Sequence, residues 1–182
     1  MAMKIENQSQ VKLPKGTEER ISAIMESLPK EHLRGIDRIR LVDSINDPRL
    51  KALQQKTELP GLYHPRMGGQ PAWLEIAVGT LLPSSKPIHK RIMPRLSFKG
   101  NLAAILFSLV GQHYYLTLRH SVKRGQIETS VRAYTEKHLK LWNERQHGLR
   151  AKLFKPLQPM LERWARTLQK KASAERKKSQ SA

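Results

Sequence analysis

The order of elements along the chain predicts an α+β domain: a small, partly antiparallel sheet packed against a buried central helix, with a helical C-terminal part. Three observations carry this. Residues 101–120, NLAAILFSLVGQHYYLTLRH, are apolar nearly all round from Leu102 to Val110 and then turn polar and aromatic. A helix with that first half must be buried, and its second half reaches a cleft or the surface. Residues 72–82, AWLEIAVGTLL, alternate Trp73, Glu75 and Ala77 with Leu74, Ile76 and Val78, as a strand does. Beyond the central helix, apolar residues recur at spacings of three and four, the period of further helices.

In chain order, residues 1–16 are polar and read as a frayed, flexible N-terminus. Thr17 is expected to cap a first helix, with Glu18 and Glu19 in the turn where the dipole favours carboxylates. Ile21, Ile24, Met25 and Leu28 share one face of it, and Pro29 ends it. Residues 36–45, IDRIRLVDSI, are rich in β-branched side chains and predict a strand. Asp47-Pro48 marks a turn, and residues 49–56 have room for one or two helical turns. Gly61–Pro65 is a short extended piece, and Met67–Pro71 a turn. These segments predict about three strands. Residues 83–94, PSSKPIHKRIMP, read as a proline-rich loop that delivers the chain to the central helix, capped by Ser97 or Asn101. Ser121–Gly125 is a basic turn. From Gln126 a second strong helix places Ile127, Val131, Tyr134, His138, Leu141 and Trp142 on one face, with a break at Gly148. Pro156 and Pro159 forbid one uninterrupted helix beyond it, and Pro159 suits the first turn of a last helix. No internal repeat is visible. The expected organisation is a flexible segment 1–16, a domain 17–148, a helical extension 149–171 and a disordered basic tail 172–182.

Composition narrows the chemistry. With 182 residues the chain can bury a substantial core. It has no cysteine, so disulfides, thiol nucleophiles and thiolate metal sites are excluded. The first ten residues lack the apolar stretch of a secretory signal. Leu102–Leu118, the most apolar window, is shorter than the roughly 20 residues a spanning helix needs and contains Gln112 and His113. No membrane span and a cytoplasmic location are therefore expected. Net charge is +19, unevenly spread: residues 1–60 carry 11 basic and 9 acidic side chains, and residues 61–182 carry 23 and 6. Such a field favours a polyanion such as nucleic acid as partner. A protein partner that neutralises the charge within a larger assembly is an alternative.

Gly111-Gln112-His113-Tyr114-Tyr115 resembles a segment of small zincin-like metallopeptidases, in which the zinc-binding helix continues as Gly-His-His followed by aromatics. Leu62-Tyr63-His64-Pro65 resembles the extended piece ahead of that family's edge strand, and residues 72–82 then stand for the strand beside the cleft. The similarity spans roughly residues 36–138 and implies a zincin-like scaffold. Its catalytic positions do not carry over. The two zinc-binding histidines fall on Ser108 and Gln112, and the glutamate that takes a proton from zinc-bound water falls on Leu109. Serine and glutamine are poor zinc ligands, and leucine accepts no proton. No His-Glu-x-x-His occurs anywhere in the chain.

A rearranged site would have to use His113, Glu128 and His138, since the family's third ligand comes from the helix that holds the latter two. His113 and His120 lie two turns apart, about 10.5 Å along a helix, too far to share a metal. His138, Tyr114 and Tyr115 fit the packing stripe. Gly68-Gly69 lacks the spacing of a phosphate loop. No cofactor is expected. Polyanion contacts are expected from Lys86, Lys90 and Arg91 before the central helix and from Arg163, Arg166, Lys170 and Lys171 near the C-terminus. Phe154 and Trp164 could stack on bases but match the apolar stripe. The sequence thus predicts a non-catalytic binding protein on a zincin-like scaffold with a polyanion partner. The alternatives are a diverged metal-dependent hydrolase and a basic subunit of a larger assembly.

Overall fold

The computed structural model describes residues 3–46, 59–83, 88–118 and 124–154, with the side chains of 88–93, 96, 124 and 147–154 left aside. The chain divides into two compact units, Met1–Trp142 and Asn143–Ala182. The first is an α+β fold, as its sequence predicts. A four-stranded sheet has the order β1-β2-β4-β3, with β1 Lys4–Asn7, β2 Ile36–Val42, β3 Gly61–His64 and β4 Ala72–Ala77. The first three strands in that order run parallel, and β3 pairs antiparallel along one edge.

Four helices accompany the sheet among the described residues. These are α1 Thr17–Glu26, a single turn α2 Val78–Leu81, the central α3 Ile88–His113 and α4 Ile127–Phe154. Alternation along β2 and β4 turns Ile39, Leu41, Leu74 and Ile76 inward, each at most 1% exposed. They join Ile21 and Ile24 of α1, Phe98 to Val110 of α3 and Tyr134 and Trp142 of α4 in one hydrophobic cluster. The expected burial of Leu102–Val110 holds, and no helix among the described residues is long and apolar enough to cross a membrane.

Several boundaries differ from the sequence reading, each for a local reason. Lys4–Asn7, inside the segment expected to be frayed, forms an edge strand. It is held by pairing Ile5 with Ile39, and by the Asp43 carboxylate accepting hydrogen bonds from Ser9, Gln10 and Val11. The N-cap of α1 is Gly16, in the left-handed region, and Thr17 instead donates its hydroxyl to the Pro14 carbonyl at 2.6 Å. β4 stops at Ala77, and the apolar run that follows it coils into α2. α3 begins at Ile88 rather than after Pro94, so that proline sits inside the helix. Its ring removes one hydrogen bond, which the packing from Phe98 onward outweighs. α4 runs through Gly148 without a break. Leu141, expected on its buried face, is 42% exposed. β4, matched by resemblance to the strand beside a cleft, is interior, and the edge beside it is β3. The turns expected over 47–56, the helix from Pro159 and the tail 172–182 lie outside the described residues.

Candidate functional site

The polar side chains that matter gather where α3 ends. Its last residue, His113, is 1% exposed, and both ring nitrogens are engaged. Nε2 lies 2.9 Å from the Arg34 carbonyl oxygen and Nδ1 3.0 Å from the Tyr63 hydroxyl, itself 3.0 Å from Thr117 Oγ1. A carbonyl only accepts, so Nε2 carries the hydrogen and Nδ1 of the neutral ring accepts from Tyr63. Tyr63 in turn accepts from Thr117. Burial pushes the imidazole below its ordinary range, against the opposing pull of the Arg34 carbonyl. Burial likewise pushes the Tyr63 phenol up, partly offset by Thr117. Thr117 reaches Tyr63 because α3 passes directly into a π-helical turn, Tyr114–Leu118. Such widened turns break the regular ladder and re-aim the side chains on them.

Beside this relay stands an aromatic wall. His32 Nδ1 is 2.9 Å from the Tyr134 hydroxyl, and its ring packs 4.3 Å from Tyr114. His138 is half-buried, its ring 4.2 Å from Tyr134 and 6.1 Å from Phe107. It therefore belongs to the packing stripe, as do Tyr114 and Tyr115. Burial first, then the neighbouring Tyr114 and Tyr115, push the Tyr134 phenol far above its usual range. Burial also lowers the His32 imidazole; Lys137 adds to that and Glu31 opposes it.

The positions matched to the zinc site part company here. Ser108 and Gln112 from α3 and Glu128 from the first turn of α4 line one open groove of about 920 Å³, together with Leu116 and Val131. Leu109, one residue on, is 2% exposed and turns away from it toward β3, where a Cβ on Gly61 would stand 3.1 Å from its Cδ1. A hydroxyl and a carboxamide are poor zinc ligands, and of the two carboxylates in the groove, Glu128 and Glu136, the second is paired with Arg132. Among the described residues no group of three or more His, Cys, Asp or Glu could hold a metal ion. His113, Glu128 and His138 are not brought together. The first is locked in the relay, the second is exposed in the groove, and the third stands in the aromatic wall.

Of the expected polyanion contacts, Lys86, Arg163, Arg166, Lys170 and Lys171 lie outside the described residues. Lys90 and Arg91 fall on the first turn of α3, where only the backbone is described. Lys99, a further basic residue of α3, has its ammonium 5.1 Å from the Trp142 ring.

Two groupings were not legible in the sequence. Arg34 and Tyr63 meet His113 across separations of 79 and 50 residues, Thr117 joins them through Tyr63, and no local pattern marks them. The other lies on the outer face of the sheet. There Trp73 is stacked on His64 at 3.7 Å from one side and has the Arg40 guanidinium 4.5 Å from its ring centre, across β2, on the other. Glu75 pairs with His64 at 2.8 Å, and Glu6 lies 3.5 Å from Arg40 and 3.0 Å from Lys4. The alternation of β2 and β4 hints at this row, but its Glu6 end depends on a strand the sequence does not announce. No family model, no curated protein and no solved structure matches this chain.

Proposed function

We propose that this chain is a non-catalytic binding protein on a zincin-like scaffold, with a polyanion such as nucleic acid as its partner. The observation that carries the reading is the groove: Ser108 and Gln112, which stand where the resembling enzymes have their two zinc-binding histidines, line it together and are poor zinc ligands. Leu109, in the place of the proton-accepting glutamate, is buried and apolar. The polyanion half of the reading is supported by charge, since residues 61–182 carry 23 basic and 6 acidic side chains. Trp73, held between His64 and Arg40, is not offered to a base, and the charge favours contact through phosphates.

The test joins metal analysis of the purified chain to DNA binding measured across salt. Expected are no stoichiometric zinc and an affinity for duplex DNA that falls steeply with salt, log K against log salt having a slope of about −0.9 per phosphate contacted. Stoichiometric zinc that disappears in His113→Ala refutes the non-catalytic reading. An affinity flat across salt refutes the polyanion partner.

A further inference from the structure

We propose that the groove between α3 and α4 is the docking site for an amphipathic helix of a separate protein, one carrying a lysine or arginine beside its apolar stripe. The shape of the groove favours a helix. Ser108, Gln112 and Leu116 recur every four residues on one wall, and Glu128, Arg132 and Glu136 do so on the other. Each wall is a ridge about 12 Å long, two turns of helix, and ridges of that period receive a third helix between them. The chemistry matches. Leu116 is 51% exposed, far more than the apolar side chains of the core, and Val131 supplies an apolar floor.

Charge selects the occupant. In a stretch with 23 basic and 6 acidic residues, the ionisable side chains of this groove are Glu128, Glu136 and Arg132. Arg132 Nε lies 3.1 Å from Glu136, and Glu128 has no ion pair among the described residues. Its place in the first turn of α4 suits the helix dipole but leaves the carboxylate free to meet an incoming cation. A second copy of the chain, itself at +19, meets long-range repulsion, whereas a basic side chain from a partner of moderate charge meets the carboxylate of Glu128, unpaired among the described residues. Helix-in-groove recognition combines these elements: apolar anchors three and four residues apart and a charge that sets register.

The probe is a labelled amphipathic peptide of about 16 residues, with leucines at helical spacing and flanking lysines, titrated with the full chain by fluorescence anisotropy. Its counterpart has glutamates in place of the lysines. Expected is saturable binding of the lysine peptide, weakened about tenfold by Leu116→Asp and by Glu128→Lys, with the glutamate peptide gaining on the Glu128→Lys chain. Both substitutions are at exposed positions, and circular dichroism checks each fold; if one variant unfolds, the other decides. Three results each overturn the proposal: no saturable binding by the wild-type chain, unchanged affinity after both substitutions, or a dimer in sedimentation that Leu116→Asp abolishes. The proposal does not rest on polyanion binding. A cationic peptide reports on the groove alone, so failure of the DNA experiment leaves this one standing, and the reverse.

Discussion

His113 ties the stability of the fold to acidity through one buried ring. Burial lowers its affinity for protons in the folded chain, whereas in the unfolded chain it titrates near about 6.5. As pH falls through that value the unfolded state takes up the proton first, so stability present above it is lost progressively below it. His32 is displaced in the same direction, mainly by burial, and adds to the loss. Glu6 and Asp43 are held below their ordinary range by hydrogen bonds from Lys4 and Ser9, so their contributions fade only at lower pH. The urea midpoint is therefore expected to drop between about pH 7.5 and pH 5, and His113→Gln should flatten that decline. A midpoint that climbs on acidification contradicts the assignment of a neutral ring.

At the scale of elements, two glycines of α3 separate packing from propensity. A Cβ on Gly111 would stand 3.0 Å from the Tyr134 ring and 3.5 Å from Val131, so the side of α3 that meets α4 has no room for a methyl group. Gly100 has nothing within 4 Å of the corresponding point. Gly111→Ala is expected to destabilise the chain by about 1–3 kcal/mol through overpacking. Gly100→Ala should stabilise it by up to about 1 kcal/mol through helix propensity. Urea denaturation of the two variants, measured side by side, checks both signs; equal effects would mean that α4 does not press on α3 at Gly111. The same contrast shows what a sequence reveals. The apolar run of Leu102–Val110 and the alternation of Ala72–Ala77 report burial directly, because period and hydrophobicity are local properties. So do Ile21, Ile24, Met25 and Leu28, all buried as their spacing implies. β1 is not legible in the sequence because four mostly polar residues become a strand only through a parallel neighbour some 34 positions away. The start of α3 is hidden in the sequence because its prolines read as punctuation, whereas Pro94 lies inside the helix and the packing that follows holds it. Of the candidate site, the grouping of Ser108 and Gln112 follows from helical spacing. The company kept by His113 does not, since its partners are Arg34, directly after a 3₁₀ turn at Lys30–Leu33, and Tyr63 on β3, both far away in the chain.

At the scale of the whole molecule, charge is the dominant fact. Nineteen uncompensated positive charges repel one another most when counterions are scarce, and added salt screens them over about 10 Å at 0.1 M. The melting temperature is expected to rise as sodium chloride is increased from about 20 to 200 mM, and scanning calorimetry checks it. A flat or falling trend would mean that local ion pairs outweigh the general repulsion. The relay through Tyr63 shapes how the molecule meets acid. Each hydroxyl along it can turn: Tyr63 can accept from a second hydrogen on the imidazole and donate to the hydroxyl of Thr117, an exposed residue. A cationic ring thus keeps every contact that the neutral ring has. What acid imposes is an unshielded charge in a dry place, with the joints between the 3₁₀ turn, edge strand and central helix left whole.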